Sequence, residues 1–310
     1  MKLARKLIMA KIESPSGTEA TPAPSTDAIG VINFEAVRTN VQQDAVAYAR
    51  DHFGAGDRFT ISAHRSIGFQ LPMIGSGTPL GSAFPAPYKA LIQACGHAVQ
   101  ENATTSVVFS PVSTGEQSAT MHVNIDGFLR KLVQARGNLK WLLEEGRIGL
   151  LQVENLLGLY SAATDTPMVA PTLPTLQKPV GFNKSNSTVQ IGGVAMKCKR
   201  VEFNAGRQNE YRNLAGAEEI VTMDANPTAS FTIEAPTVAT KNVWADLMAA
   251  SSQALNVVHG TVAGNIVTLA AARAIPTSIE ENEDRGILFY TYNFDLKPTN
   301  GNDAYTATMT

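Results

Sequence analysis

Apolar and polar residues alternate with a period of two along much of the chain, the pattern of half-buried strands. Ile67, Phe69 and Leu71 alternate with Gly68 and Gln70, and Met121, Val123 and Ile125 mark a second strand. Leu151, Val153, Leu157 and Leu159 predict one apolar strand side; Leu288, Tyr290, Tyr292, Phe294 and Leu296 predict another, within a last strand over 287–296. Val107 with Phe109, Val201 with Phe203, and the run PTASFTIEAP add further strands. Two stretches change to helical spacing. Pro87 opens one, with Tyr88, Leu91, Ile92, Cys95 and Val99 on an i, i+3, i+4, i+7, i+11 stripe. Val243, Trp244, Leu247 and Met248 share one side of the other. Asp126-Gly127 and Ala263-Gly264-Asn265 predict hairpin turns, the first returning along 128–134. The pattern is mainly β, with a helix packed on a sheet.

This pattern occurs twice. Shifting residues 127–160 by 137 positions lands them on 264–297 without a gap, and the shift pairs His122/His259, Gly127/Gly264, Arg136/Arg273, Glu144/Glu281 and Leu159/Leu296. Earlier in the chain an offset of 162 pairs Arg50/Arg212, Gly54/Gly216, Thr60/Thr222 and Phe69/Phe231. A tandem duplication is the expectation, with about 25 extra residues in the first copy, placed in the loop at 73–85 and a strand pair near 105–118. The expected organisation is an extended N-terminal arm over 1–30, a first domain over 31–164, a stiff proline-rich linker over 165–190 and a second domain over 191–310.

Composition narrows the picture. A length of 310 residues suits two domains, and 17% charged residues is low for a soluble domain, which suggests surface covered in an assembly. A net charge of −2 gives no basic footprint for gripping nucleic acid. Two cysteines on unrelated segments suggest reduced thiols, and the basic N-terminus lacks the apolar run of a signal peptide, which predicts synthesis in the cytoplasm and no membrane partner.

Candidate chemistry is sparse. The glycines at 75, 77 and 81 have the spacing of a phosphate-binding fingerprint lengthened by one residue, with Pro79 inside it. His122 and His259 occupy matching strand positions; a metal at a symmetric interface and simple inheritance through duplication are the two readings, and no metal-ligand spacing favours the first. Glu144-Glu145 reads as a charged turn. No catalytic constellation, cofactor or metal site is expected. Arg50, Arg212, Arg136 and Arg273 are candidates for inter-subunit ion pairs with acids such as Asp57, Glu218 or Glu219, pairing within the domain being equally open.

NIDGFLRKLVQARG followed by GRIGLLQVENLLGLY resembles the hairpin and last strand of the major tail proteins (tail tube proteins) of long non-contractile phage tails. The runs NEYRNLAGAE, PTASFTIEAPTVATKN, HGTVAGNIVT and DLKPTNGNDAYT, and the arm LIMAKIESPSGTEATPAPSTDAI, are similar to that family too. The resemblance implies β-sandwich or barrel-like tube domains, each with a flanking helix, in rings stacked into the conduit of a virion tail. Implied partners are other copies of the chain, the tape measure protein, the tail terminator and distal tail or baseplate proteins, with DNA passing through unbound. Two domains per chain predict rings of three chains with a sixfold appearance. Gln152 and Glu154, with Thr291, Asn293 and Asp295, are the candidates for the lumen. The rival reading is a secreted two-domain β-sandwich adhesin or carbohydrate-binding module, for which Trp141 is the candidate platform and Trp244 a core residue. A secretion-system tube ring and an enzyme with an unrecognised site are further alternatives.

Overall fold

The computed structural model describes residues 5–46, 48–49, 51, 53–77 and 84–310. In the first half the strands are β1 (Lys6–Ile12), β2 (Ala28–Ile29), β3 (Arg38–Val46), β4 (Asp57–Pro72), β5 (His97–Asn102), β6 (Ser106–Pro111), β7 (Ala119–Ile125), β8 (Phe128–Glu144), β9 (Leu150–Tyr160) and β10 (Thr164–Asp165), with helix α1 (Ala86–Ala94) after β4. The second half holds β11 (Ser187–Ile191), β12 (Val194–Ala195), β13 (Cys198–Asn204), β14 (Arg207–Leu214), β15 (Ala217–Ala225), β16 (Thr228–Glu234), β17 (Gln253–His259), β18 (Val267–Asp284), β19 (Ile287–Leu296) and β20 (Thr306–Met309), with helix α2 (Val243–Met248) after β16. The fold is mainly β, as the alternation predicts.

Eight of these strands run side by side, all antiparallel, in the order β3-β4-β9-β8-β13-β16-β19-β18. The sheet crosses from the first half to the second at β8–β13, where Trp141 faces Phe203 and Leu143 faces Val201. Alternation between the bulges gives it one apolar side. Phe69, Val153, Leu139, Trp141, Phe203, Phe231, Tyr292 and Phe294 are buried there. They form one core continuous across both halves, with Phe203 edge-on to Phe231 at 5.8 Å.

The long strands β8 and β18 join this sheet to a second layer. The first part of β8 pairs with β7, and the second part pairs with β9 and β13. Between them the register shifts at 133–138, and Gln134 takes a positive φ of 54°. Such bulges bend a strand and re-aim it. In β18 the shift falls at Pro276, which has no N–H to give a ladder and suits a bulge. The same pairings recur in both halves: β7 to β8, β8 to β9, β9 to β4, and β17 to β18, β18 to β19, β19 to β16. The C-terminal strand β20 lies between β18 and β6, a second seam between the halves.

Several expectations change. The N-terminal segment is no free arm: β1 is packed between β2 and β7, with Leu7, Ile8, Met9 and Ala10 buried. Glu13, fully buried, follows it and accepts hydrogen bonds from Thr120 Oγ1 (2.7 Å) and from the backbone N–H of bulged Gln134 (2.8 Å). The stripe through Val99 overshoots α1, because Gly96 at φ 75° turns the chain and Val99 belongs to β5. The return strand predicted over 128–134 continues to Glu144. In β9, Asn155 at φ 46° forms a bulge, so Leu156 is buried in place of Leu157 and Leu159. The two halves also share sheets, and the residues over 166–180 run between them without regular structure.

Because β8–β13 places Phe203 in a core common to both halves, Phe203→Ala should cost about 3–5 kcal/mol. Urea denaturation followed by intrinsic fluorescence of Trp141 and Trp244, one in each half, and by far-UV circular dichroism should show one coincident transition shifted to lower urea. Separate transitions for the two signals in the parent protein would contradict a shared core.

Candidate functional site

The side of the eight-stranded sheet opposite the core is mainly polar, with Leu142 and Leu150 half-buried in the row of Glu202, and cross-strand partners share a face. One row runs Gln70, Gln152, Lys140, Asn204, Thr228, Asp295 across six strands. A second row runs Glu202, Ser230, Asn293 and Ser278, and a third Arg200, Thr232, Thr291 and Glu280. Glu154 stands opposite Asn138. Gln152, Glu154, Thr291, Asn293 and Asp295 therefore lie on one face of one sheet, although they come from different halves.

The face is knitted by short polar contacts. Asn293 bridges Ser230 Oγ (2.7 Å) and Ser278 Oγ (2.9 Å). Lys140 lies 3.0 Å from Glu154 and 3.5 Å from Glu202, and Arg200 lies 2.8 Å from Glu202. Burial alone would lower the Lys140 pKa, but the hydrogen bonds and charges of Glu154 and Glu202 outweigh it and hold the ammonium above the ordinary lysine value. The cations here are thus matched by carboxylates, and Glu280 adds negative charge with no ion pair among the described residues.

Both borders of the sheet are open among the described residues. The outer edge of β3 has no strand beside it, and the part of β18 over 277–284 pairs only with β19. Unpaired edges are templates for adding strands.

Among the described residues the ribbon β14–β15 pairs with no other strand, and it lies against β8 and β9 of the first half. Arg207 anchors it. Its buried guanidinium donates to Glu116 and to the carbonyls of Val112 and Gly96, the last at 2.6 Å. Further out, Ile220 N–H donates to Gln134 Oε1 (3.0 Å), and Tyr211 stacks on His64 with ring centroids 4.6 Å apart. Arg136 joins the same cluster through Glu116 at 2.7 Å. Arg212 pairs at 3.8 Å with Glu219 across its own ribbon. Arg273 donates to the carbonyl of Pro298 (3.2 Å) and has no ion pair among the described residues. Arg50 lies outside the described residues. Arg207, Glu116 and Lys140 have no signal in sequence, since their partners lie on other strands or loops brought close only by the fold.

Other chemistry-bearing residues are taken up by packing. His259 uses Nδ1 with Ser187 Oγ (2.8 Å) and Nε2 with the carbonyl of Val180 (3.2 Å). His122 is buried in β7 with its Nε2 4.0 Å from Glu19. No cluster of three potential metal ligands occurs among the described residues. Burial pushes the thiols of Cys95 and Cys198 up to about 12, so neither is poised as a thiolate. The tryptophans are the reverse of expectation: Trp141 is 0% exposed and Trp244 is 40% exposed against Tyr290, because α2 buries only Val243. No family model matches the chain, and no curated protein matches it in sequence.

His97, fully buried beneath the Arg207 anchor, bonds Tyr305 of the second half (Nε2 to Oη, 2.6 Å) and the carbonyl of Ile92 (Nδ1, 3.2 Å). Burial first, then the Arg207 charge, lowers its pKa to about 4. The unfolded chain therefore takes up this proton near pH 6.5 and the folded chain only near pH 4. Stability contributed here is complete above about pH 6.5 and falls by roughly 3 kcal/mol on descending to about pH 4. Urea melts of the parent and His97→Gln should converge as pH drops through that window; parallel pH profiles would contradict it.

Proposed function

We propose that this protein is a tail tube protein of a long non-contractile phage tail, self-assembling and without catalytic role. The observation that carries the reading is a single antiparallel sheet with one buried side, one polar side and two open borders. With eight strands alternating in direction, the last strand of one copy is antiparallel to the first of the next. Copies can thus continue the sheet without breaking its pattern. The β8–β13 seam already does this within the chain, joining the counterpart of one border to the counterpart of the other.

The repeated pairings of the two halves fit a tandem duplication, so three chains supply six similar units. A closed ring would then hold about 24 strands; at ~4.8 Å spacing and ~40° tilt its backbone diameter is about 50 Å, room for a DNA duplex. The polar face would line the lumen. Its lysine and arginine are already neutralised by carboxylates, and phosphate binding needs free cations, so DNA and the tape measure protein would pass without sticking. Tail terminator and distal tail proteins would cap the ends of the tube, which resides in the virion.

Electron microscopy and native mass spectrometry of the purified full-length protein test this. Hollow tubes or rings of three chains per layer are expected. A species that stays monomeric at every concentration and ionic strength would overturn the proposal.

A further inference from the structure

The largest concentration of uncovered apolar side chains is on the ribbon formed by β3 and the first part of β4. Phe59 (53% exposed) and Ile61 (57% exposed) stand on it with Val41, and Tyr48 and Phe53 are exposed at its tip. A two-stranded ribbon is marginally stable alone in water, and a patch of this kind marks a contact surface. The second half has the matching ribbon, β14–β15. There the chain leaves β13 beside the β8 bulge, where Ala205 N–H donates to the carbonyl of Leu139 (2.9 Å), and lies down across β8 and β9. Among the described residues the first-half ribbon has no such bed within its own chain, since the second-half counterparts of β8 and β9 are β18 and β19, at the far border of the sheet.

We propose that the ribbon β3–β4 of one copy docks across β18 and β19 of a second copy, repeating between chains the contact that β14–β15 makes within one. The inference rests on the proposed self-assembly and adds to it the segment that locks neighbours together. Charges support the pairing. The border of β18 carries Glu281 and Glu283, and the ribbon carries Arg38 and Arg58; none has an ion pair among the described residues. At the β18 bulge Arg273 is likewise without one, while its first-half counterpart Arg136 meets Glu116 beside the docked ribbon. Asp44 and Asp57, facing outward on β3–β4, are the carboxylates the ribbon brings to it.

The test uses full-length protein with benzoylphenylalanine replacing Phe59, assembled from an equal mixture of 15N-labelled and unlabelled chains and irradiated. Cross-linked peptides of mixed isotope joining position 59 to residues 267–297 are expected. Cross-links confined to one chain, or joining two ribbons, would overturn the proposal. As a second readout, Phe59→Ser/Ile61→Ser should keep the parent circular dichroism and raise the concentration needed for assembly at least about tenfold. Tubes formed equally well by that variant would sink this inference alone. A parent chain that never assembles would remove the tube reading and this inference together.

Discussion

The pairing of β8 with β13 is the constraint on which the rest of the molecule depends. It places Trp141 opposite Phe203 and Leu143 opposite Val201, so the apolar side of one half continues into that of the other. Without it there would be two four-stranded sheets with four open borders. With it there is one sheet with two, and the borders left over have the same strand directions as the pair already joined. Bulges in β8 and β18 make this compatible with a second layer, because each long strand serves one sheet with its first part and the other with its second. Glu13 stabilises one of these bulges by accepting the Gln134 N–H that the ladder leaves free, which is why the N-terminal segment belongs to the fold.

Alternation settles what the two sides of the sheet can do. Along a regular strand a residue that fills the core leaves its neighbour on the other face, and here those neighbours are mostly serine, threonine, asparagine, glutamine and charged residues, with Leu142 and Leu150 continuing the Glu202 row. Such a face is well hydrated and offers phosphates little to hold. Ion pairs such as Lys140 with Glu154 and Glu202 are partly exposed and add little to stability; their effect is to cancel cationic charge. The Arg207 anchor is of another kind, buried and hydrogen-bonded on several sides, and losing one partner there would strand the rest.

Strand identity was legible because period-two patterning is local, as β16 and β19 show, the latter over 287–296 as read from sequence. That Gln152, Glu154, Thr291, Asn293 and Asp295 share one face is legible for the same reason: polarity between apolar neighbours fixes a side. What alternation does not carry is the phase after a bulge: unbroken period two puts Leu157 and Leu159 on the side that Leu156 takes once Asn155 enters the left-handed region. Nor does it carry pairing between distant strands. The seam at β8–β13, the strand β20 wedged between β6 and β18, and the meeting of Arg207 with Glu116 join segments that share no local signal. The proline and serine that follow the short apolar run of β1 suggest an arm, yet four consecutive buried residues fit a strand covered on both sides.

A cryo-electron-microscopy reconstruction of the assembled protein, at a resolution that separates strands, tests the central claim most directly. Eight strands from each chain are expected around the lumen, with the edge preceding and including β3 of one copy hydrogen-bonded antiparallel to residues 277–284 of the next. The rows of Gln152 and Asp295 should face inward. A ring whose sheets stop at each chain boundary, or whose lumen is lined by the other layer, would contradict it.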